Sequence, residues 1–195
     1  YAAEAVVTAL VADNAKTEAL GEGKNGHMLV NQTPFYAESG GQIADVGTIT
    51  WDGGSARVTD TRKTPSGLFV HQIVVDSGTL GKGQDVRLQI DVARRLRLQA
   101  NHSATHLLHE ALRLVLGDHV AQKGSLVSPD RLRFDFSHQK AVSSDELSEV
   151  QKIVNERIRM NSDVTTRIMT PASAIELGAL ALFGEKYGDE VRVVQ

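Results

Sequence analysis

At Asp91 the apolar residues of this chain change their period, and nothing else in the sequence limits its fold as strongly. Before that point, apolar and polar residues alternate in short runs closed by glycine, the pattern of half-buried strands. The runs are 6–11, 27–30, 47–51, 55–61, 68–75 and 86–91. Asp52-Gly53-Gly54 is a strong turn signal between two of them, so they pair as a hairpin. About six short strands with glycine turns predict a small antiparallel barrel or sandwich. One stretch departs from this pattern: Gln32-Thr33-Pro34-Phe35-Tyr36-Ala37-Glu38-Ser39-Gly40-Gly41-Gln42. It is too polar for a strand and too marked by Pro and Gly for a helix. Gly40-Gly41 permits left-handed backbone and close approach to another chain segment. The stretch reads as a surface loop, and such loops often carry function.

Beyond Asp91 the spacing is helical as far as Leu116, with Asp91 as N-cap and Gly117 just past the end. The length fits one helix of about 25 residues, or two with a break near Asn101. Arg94, Arg95 and Arg97 make its start basic, either a solvated charged face or a phosphate contact. On a helical wheel His106, His109 and Arg113 fall within roughly 40° of His102, and Thr105 lies roughly 60° to the other side. Ala104, Leu108, Ala111 and Val115 form the opposite face, which is expected to pack. Two histidines at i, i+4 suit Zn²⁺, yet HxxxH equally describes two solvated or hydrogen-bonded imidazoles. The metalloprotease pattern HExxH is absent.

The remainder alternates between types. A strand is expected over 118–127, a turn at Ser128-Pro129-Asp130 and a return strand over 131–137. Ser143 to Glu146 reads as a capping box opening a helix whose core face is Leu147, Val150, Ile153, Val154 and Ile158. A strand over 164–169, a short helix over 172–181 opened by Pro171, a loop over 183–188 and a last strand over 191–194 complete the chain. The expected fold class is α+β: an N-terminal antiparallel β-barrel over 1–92, then an α+β sandwich over 93–195 with helices on an antiparallel sheet.

Composition narrows the function classes. With 195 residues, 41% of them hydrophobic, the chain can build a real core in one large or two small domains. A net charge of −3 gives no global basic field, although local patches can still meet RNA. Aromatics at 5% argue against stacking platforms for bases. The absence of cysteine excludes disulfides, thiolate ligands and cysteine nucleophiles within these residues and favours a cytoplasmic setting. No apolar run approaches the roughly 18 residues of a membrane span, so no membrane partner is expected. Starting at Tyr1 and stopping in Val191-Arg192-Val193-Val194-Gln195, the chain reads as a piece of a longer protein.

Four stretches together carry a resemblance: Thr33 to Gln42, Asn101-His102-Ser103-Ala104-Thr105-His106-Leu107, Gln122-Lys123-Gly124-Ser125-Leu126, and Arg133-Phe134-Asp135-Phe136-Ser137-His138. Ala181-Leu182-Phe183-Gly184-Glu185-Lys186-Tyr187 fits as well. In this order and spacing they resemble the editing domain of alanyl-tRNA synthetases. The resemblance implies proofreading: hydrolysis of the aminoacyl ester of Ser-tRNA(Ala) and Gly-tRNA(Ala), where binding alone discriminates only roughly 10–200-fold. Its partners would be the acceptor end of tRNA(Ala) and the rest of the parent synthetase. By position, His102 and His106 match the family's first two Zn²⁺ ligands. Thr105 and Gln122 match residues lining the amino-acid pocket and are the catalytic candidates, Thr105 testing for the serine hydroxyl and Gln122 holding water or the scissile carbonyl. Gly40 and Gly41 would bring the loop against that pocket. The family's other two ligands, a Cys and a His in a CxxxH motif, follow the last strand, so the Zn²⁺ site is expected to be incomplete here. His109 lies one turn too far and reads as a bystander. No residue is an obvious strong base, which points to a positioned water assisted by zinc or by the terminal ribose hydroxyl. The alternative is a non-catalytic tRNA-binding fragment of the same domain.

Overall fold

The computed structural model describes residues 1–179 and 188–194. In chain order the strands of its first half are β1 (Ala2–Ala12), β2 (Ala15–Thr17), β3 (Ala19–Gly21), β4 (Asn25–Val30), β5 (Gly47–Trp51), β6 (Gly54–Lys63), β7 (Phe69–Ser77), β8 (Thr79–Gly81) and β9 (Asp85–Ile90). Then come α1 (Val92–Leu116), β10 (Gln122–Val127), β11 (Leu132–Phe136), α2 (Ser144–Met160), β12 (Thr166–Met169), α3 (Pro171–Glu176) and β13 (Val191–Val194). They are distributed over two compact units. One takes Tyr1–His106 with Gly124–Asp135, the other Leu107–Lys123 with Phe136–Gln195.

In the first unit six strands close into an antiparallel barrel in the order β1-β4-β7-β6-β5-β9, with β9 returning to β1. These are the six runs expected from alternation. Closure depends on the length of β1. Its Ala2–Val6 half pairs with β9, and its Val7–Val11 half pairs with β4. A register shift between Val7 and Ala9 divides the halves. It changes which face points inward, so Val7 and Leu10 are both buried although they stand three positions apart. The core is aliphatic, with Met28, Ile49, Ile73 and Leu88 among its fully buried side chains. Each contributes roughly 1.5–3 kcal/mol by leaving water. Beside the barrel, Leu20 of β3 pairs directly with Leu80 of β8, and both join this core.

Between β4 and β5 the Gln32–Gln42 stretch crosses to α1 and is fastened there by charge. Asp45 is 1% exposed. Its carboxylate accepts from Arg95 Nε at 3.0 Å, from Arg95 Nη2, and from the Tyr36 amide at 2.8 Å. Arg95 Nη2 also donates to Pro34 O, and Arg94 Nη1 to Ala44 O at 2.7 Å. Arg95 is therefore neither a solvated charge nor a phosphate ligand, since its guanidinium is occupied inside the fold. The Asp91 carboxylate accepts from Arg94 N at 2.9 Å, the expected N-cap, and α1 runs unbroken past Asn101.

The helix buries a different face from the one its apolar residues suggest. Leu98, Thr105, His109 and Leu112 are buried, at helical spacing, while Leu114 is exposed. Only Ala111 of the expected packing face is buried. Thr105 offsets the cost of its polarity by donating to Asn101 O at 2.8 Å.

In the second unit α2 starts at the expected capping box. Ser143 Oγ accepts from Glu146 N, and the Glu146 carboxylate accepts from Ser143 N. That hydrogen bond holds the Glu146 carboxyl down at about 2, so the box is complete above the ordinary carboxylate range and is lost as pH falls toward 2. Of the expected core stripe only Val150 is buried; Leu147 and Ile158 are exposed. β12 and β13 form their own antiparallel pair, with Val193 and Ala174 of α3 buried. β10 and β11, most of which belong to the first unit, form a two-stranded antiparallel sheet of their own. The α3 helix ends at Glu176, short of the expected 181. The stretch Ala181 to Tyr187 lies outside the described residues. No helix among them is long and apolar enough to cross a membrane.

Replacing Arg95 by Met leaves a buried carboxylate without its cation. The expected loss is about 3–5 kcal/mol of stability, read from urea unfolding of R95M against wild type.

Candidate functional site

His102 and His106 stand one helical turn apart with their rings stacked, centroids 5.2 Å apart and planes at 12°. Helical spacing alone brings them together, as the sequence implies. Tertiary contact fixes their chemistry. His102 Nδ1 lies 2.7 Å from the side-chain Oε1 of Gln42, which is itself buried. An amide oxygen can only accept, so Nδ1 carries the proton and Nε2 keeps its lone pair. That is the tautomer a metal-binding imidazole needs, and a second-shell acceptor of this kind is what usually sets it.

Gln42 reaches the helix because its loop is sewn to β10. Val127 N donates to Gly41 O at 2.8 Å, and Ile43 N donates to Val127 O at 3.1 Å. Gly41 adopts φ 81°, and a Cβ there would stand 2.5 Å from the Ser125 carbonyl oxygen. Only glycine permits both. Gly40 also has positive φ, 58°, but faces open space. On the other side, Asn101 Nδ2 donates to Ser128 O at 2.7 Å, tying the helix to the turn after β10.

The beginning of the loop is anchored in the barrel. His71, fully buried, donates from Nδ1 to Met28 O at 3.2 Å and accepts at Nε2 from Thr33 Oγ1 at 2.8 Å. Thr33 Oγ1 in turn accepts from Phe35 N at 3.1 Å. Burial pushes the His71 pKa below its ordinary 6.5.

The first unit thus carries His102, Thr105 and His106 on the middle turns of α1 and joins the Gly40-Gly41 loop to them through the Gln42–His102 contact. Gln122 belongs to the second unit, where it is half-buried and opens β10. Gln42 and His71 escaped the sequence reading. Gln42 closes the glycine loop, and nothing in its spacing relates it to a histidine sixty positions on. The signal for His71 was available: it shares the inward phase of Ile73 and Val75 on β7.

The ligand chemistry fits zinc in kind and falls short in number. Two neutral imidazoles are proper nitrogen ligands, but protein zinc sites use three or four. Among the described residues no group of three or more His, Asp or Glu is placed to hold a metal ion.

Residues 1–94 match the family model described as tRNA synthetases class II (A). Over 192 residues, 98% of the chain, it is 60% identical to an alanine–tRNA ligase of Rhodopseudomonas palustris. It is similar to stretches of alanine–tRNA ligases. Identity is 60% over 191 residues to the ligase of Paracoccus denitrificans and 58% over 192 residues to that of Mesorhizobium japonicum. The chain spans 22% of the length of each of these relatives.

Two predictions concern the loop. Gly41→Ala meets both a left-handed backbone and the Ser125 carbonyl, whereas Gly40→Ala meets only the former; G40A is expected to cost about 1–2 kcal/mol and G41A clearly more, by urea titration. Because the folded-state pKa of His71 is depressed, the unfolded chain takes up its proton first as pH falls. Stability is therefore full above about pH 6.5 and declines below it. The urea midpoint of wild type should drop between pH 7 and pH 5, and that drop should shrink in His71→Gln.

Proposed function

We propose that this chain is the editing portion of an alanine–tRNA ligase, and that it hydrolyses the ester of Ser-tRNA(Ala) and Gly-tRNA(Ala). The observation that carries the reading is the 2.7 Å contact between Gln42 and His102. It joins two of the motifs behind the resemblance, whose contacting residues are sixty positions apart in sequence. The 60% identity to alanine–tRNA ligases over nearly the whole chain supports the same reading.

In this reading Thr105 is the selectivity residue. Its hydroxyl proton is given to Asn101 O, so its oxygen is left to accept from the hydroxyl of a serine side chain. Gln122 offers both an amide donor and an acceptor, enough to hold a water or the scissile carbonyl. Gly40 and Gly41 supply backbone close to the substrate. Hydrolysis then proceeds by water held in line with the ester, which needs positioning more than a strong base. The acceptor end of tRNA(Ala) is the nucleic-acid partner, and the remainder of the ligase is the protein partner.

His102 and His106 would hold Zn²⁺ together with ligands from outside the described residues. When bound, the ion supplies a Lewis acid that orients and polarises an oxygen. A second reading, tRNA binding without hydrolysis, draws on the ligand count of two.

Deacylation of Ser-tRNA(Ala) with zinc supplied decides between the readings. Serine release well above the buffer rate is expected, with Gln122→Ala slowing it and Thr105→Val lowering the preference for serine over glycine by roughly tenfold. Release at the buffer rate, with tRNA still bound, establishes the second reading.

A further inference from the structure

Two of the motifs behind the resemblance, Gln122 to Leu126 and Arg133 to His138, meet in a contact outside the histidine cluster. β10 and β11 pair as a hairpin whose register is set at its turn, where Ser128 N donates to Arg131 O at 3.0 Å. Two residues back along each strand Leu126 faces Arg133, and two further back Gly124 faces Asp135. The last pairing is seen directly: a Cβ at Gly124 would stand 2.8 Å from Asp135 Oδ2. Opposed residues share a face, so Gly124, Leu126, Arg131, Arg133 and Asp135 lie on one side of the hairpin, all within the first unit. The period of two puts Gln122 on that same side of β10.

The Asp135 carboxylate fills the space that Gly124 leaves open. From there both its oxygens meet Arg133 Nε, Oδ1 at 3.0 Å and Oδ2 at 3.1 Å. The two side chains are 62% and 45% exposed, and an exposed pair contributes only about 0–1 kcal/mol to stability. What the pair supplies is orientation. With Nε held, both Nη groups keep their N–H donors for another partner, and a planar guanidinium fork suits bidentate binding of a phosphate. Arg131 is exposed on the same face, two positions earlier. The two arginines are rooted about 7 Å apart along the strand, on the scale of successive phosphates in an extended nucleic-acid chain. At the basic start of α1, by contrast, Arg94 and Arg95 are engaged inside the fold.

We infer that this face of the hairpin binds the backbone of the single-stranded acceptor end of tRNA, Arg133 and Arg131 each taking a phosphate, and that Asp135, seated over Gly124, is the positioning residue for Arg133. This rests on the editing reading above, in which Gln122 meets the aminoacyl end. The nucleotides that precede that end then run along β10 toward the turn, where the arginines stand. No bond forms or breaks: guanidinium replaces the counterions of the phosphates.

The test uses the whole chain and a tRNA(Ala) acceptor minihelix, intact or trimmed of its single-stranded 3′ end. Affinity is read by fluorescence anisotropy over a range of KCl. Arg133→Met and Arg131→Met are each expected to weaken binding of the intact minihelix several-fold and to flatten the slope of log affinity against log salt by about 0.7. The trimmed minihelix and the urea midpoint should be unaffected. Asp135→Asn separates positioning from charge. Loss of a negative charge beside a phosphate by itself tightens binding, whereas loss of positioning weakens it, and a weakening of roughly two- to fivefold is expected. Gly124→Ala displaces the carboxylate at constant net charge and should match D135N, and adding G124A to R133M should cost nothing more. If R133M and R131M keep the wild-type affinity and slope, or lose as much on the trimmed minihelix, the phosphate assignment is wrong. If D135N and G124A bind as tightly as wild type, the positioning role is wrong. Ser-tRNA(Ala) deacylation by the wild type is followed alongside: serine release with unchanged binding in the variants leaves the editing reading standing. A wild type that neither binds the minihelix nor releases serine overturns both.

Discussion

The Asp45–Arg95 ion pair is the interaction on which the first unit's site depends. The glycine loop has no strand of its own to hold it, and its polar composition gives it little apolar surface to bury. Instead, a buried carboxylate meets a guanidinium from the first turns of α1 and an amide from the loop's other arm. Burying a carboxylate costs several kcal/mol unless it is paired and hydrogen-bonded. Here every partner belongs to the loop or the helix, so the penalty for separating them maintains the arrangement. The positions of Gln42 and His102 follow from that fastening and from the bonds between Gly41 and Val127.

Histidine recurs in one role through this chain. His71, His102 and His138 are each held at Nδ1 by a specific neighbour: a carbonyl, an amide oxygen and a second imidazole. In each case the held nitrogen decides what the free one can do. For His71 the free nitrogen is used structurally, accepting from Thr33. For His102 it is a potential metal ligand. The chemistry of an imidazole is thus set by residues that sequence spacing does not connect to it.

Much of the fold was legible because it rests on local periodicity. Alternation located the six barrel strands, Asp52-Gly53 their tight hairpin, and the Ser143–Glu146 box the start of α2. The failures share a cause. The inward phase of β1 was hidden by a bulge, which follows from strand pairing and not from side-chain pattern. The buried face of α1 was misassigned because Thr105 and His109 are buried, Thr105 with its hydroxyl bonded to Asn101 O, while Leu114 is left exposed. Arg95 looked like a surface cation because its partner Asp45 is fifty residues away.

By itself the sequence determined which segments become strands and helices, which residues share a helical face, and which four motifs carry the resemblance to alanyl-tRNA synthetases. Periodicity, capping and turn chemistry act within a few residues, so they can be read along the chain. The tertiary structure decided that Gln42 fixes the tautomer of His102 and that Gly41 lies too close to Ser125 for any side chain. Each of these depends on a hydrogen bond or steric contact between segments brought together only by the docking of the glycine loop on α1 and β10. At about 3 Å such contacts decide protonation and strain, and no spacing in the chain encodes them.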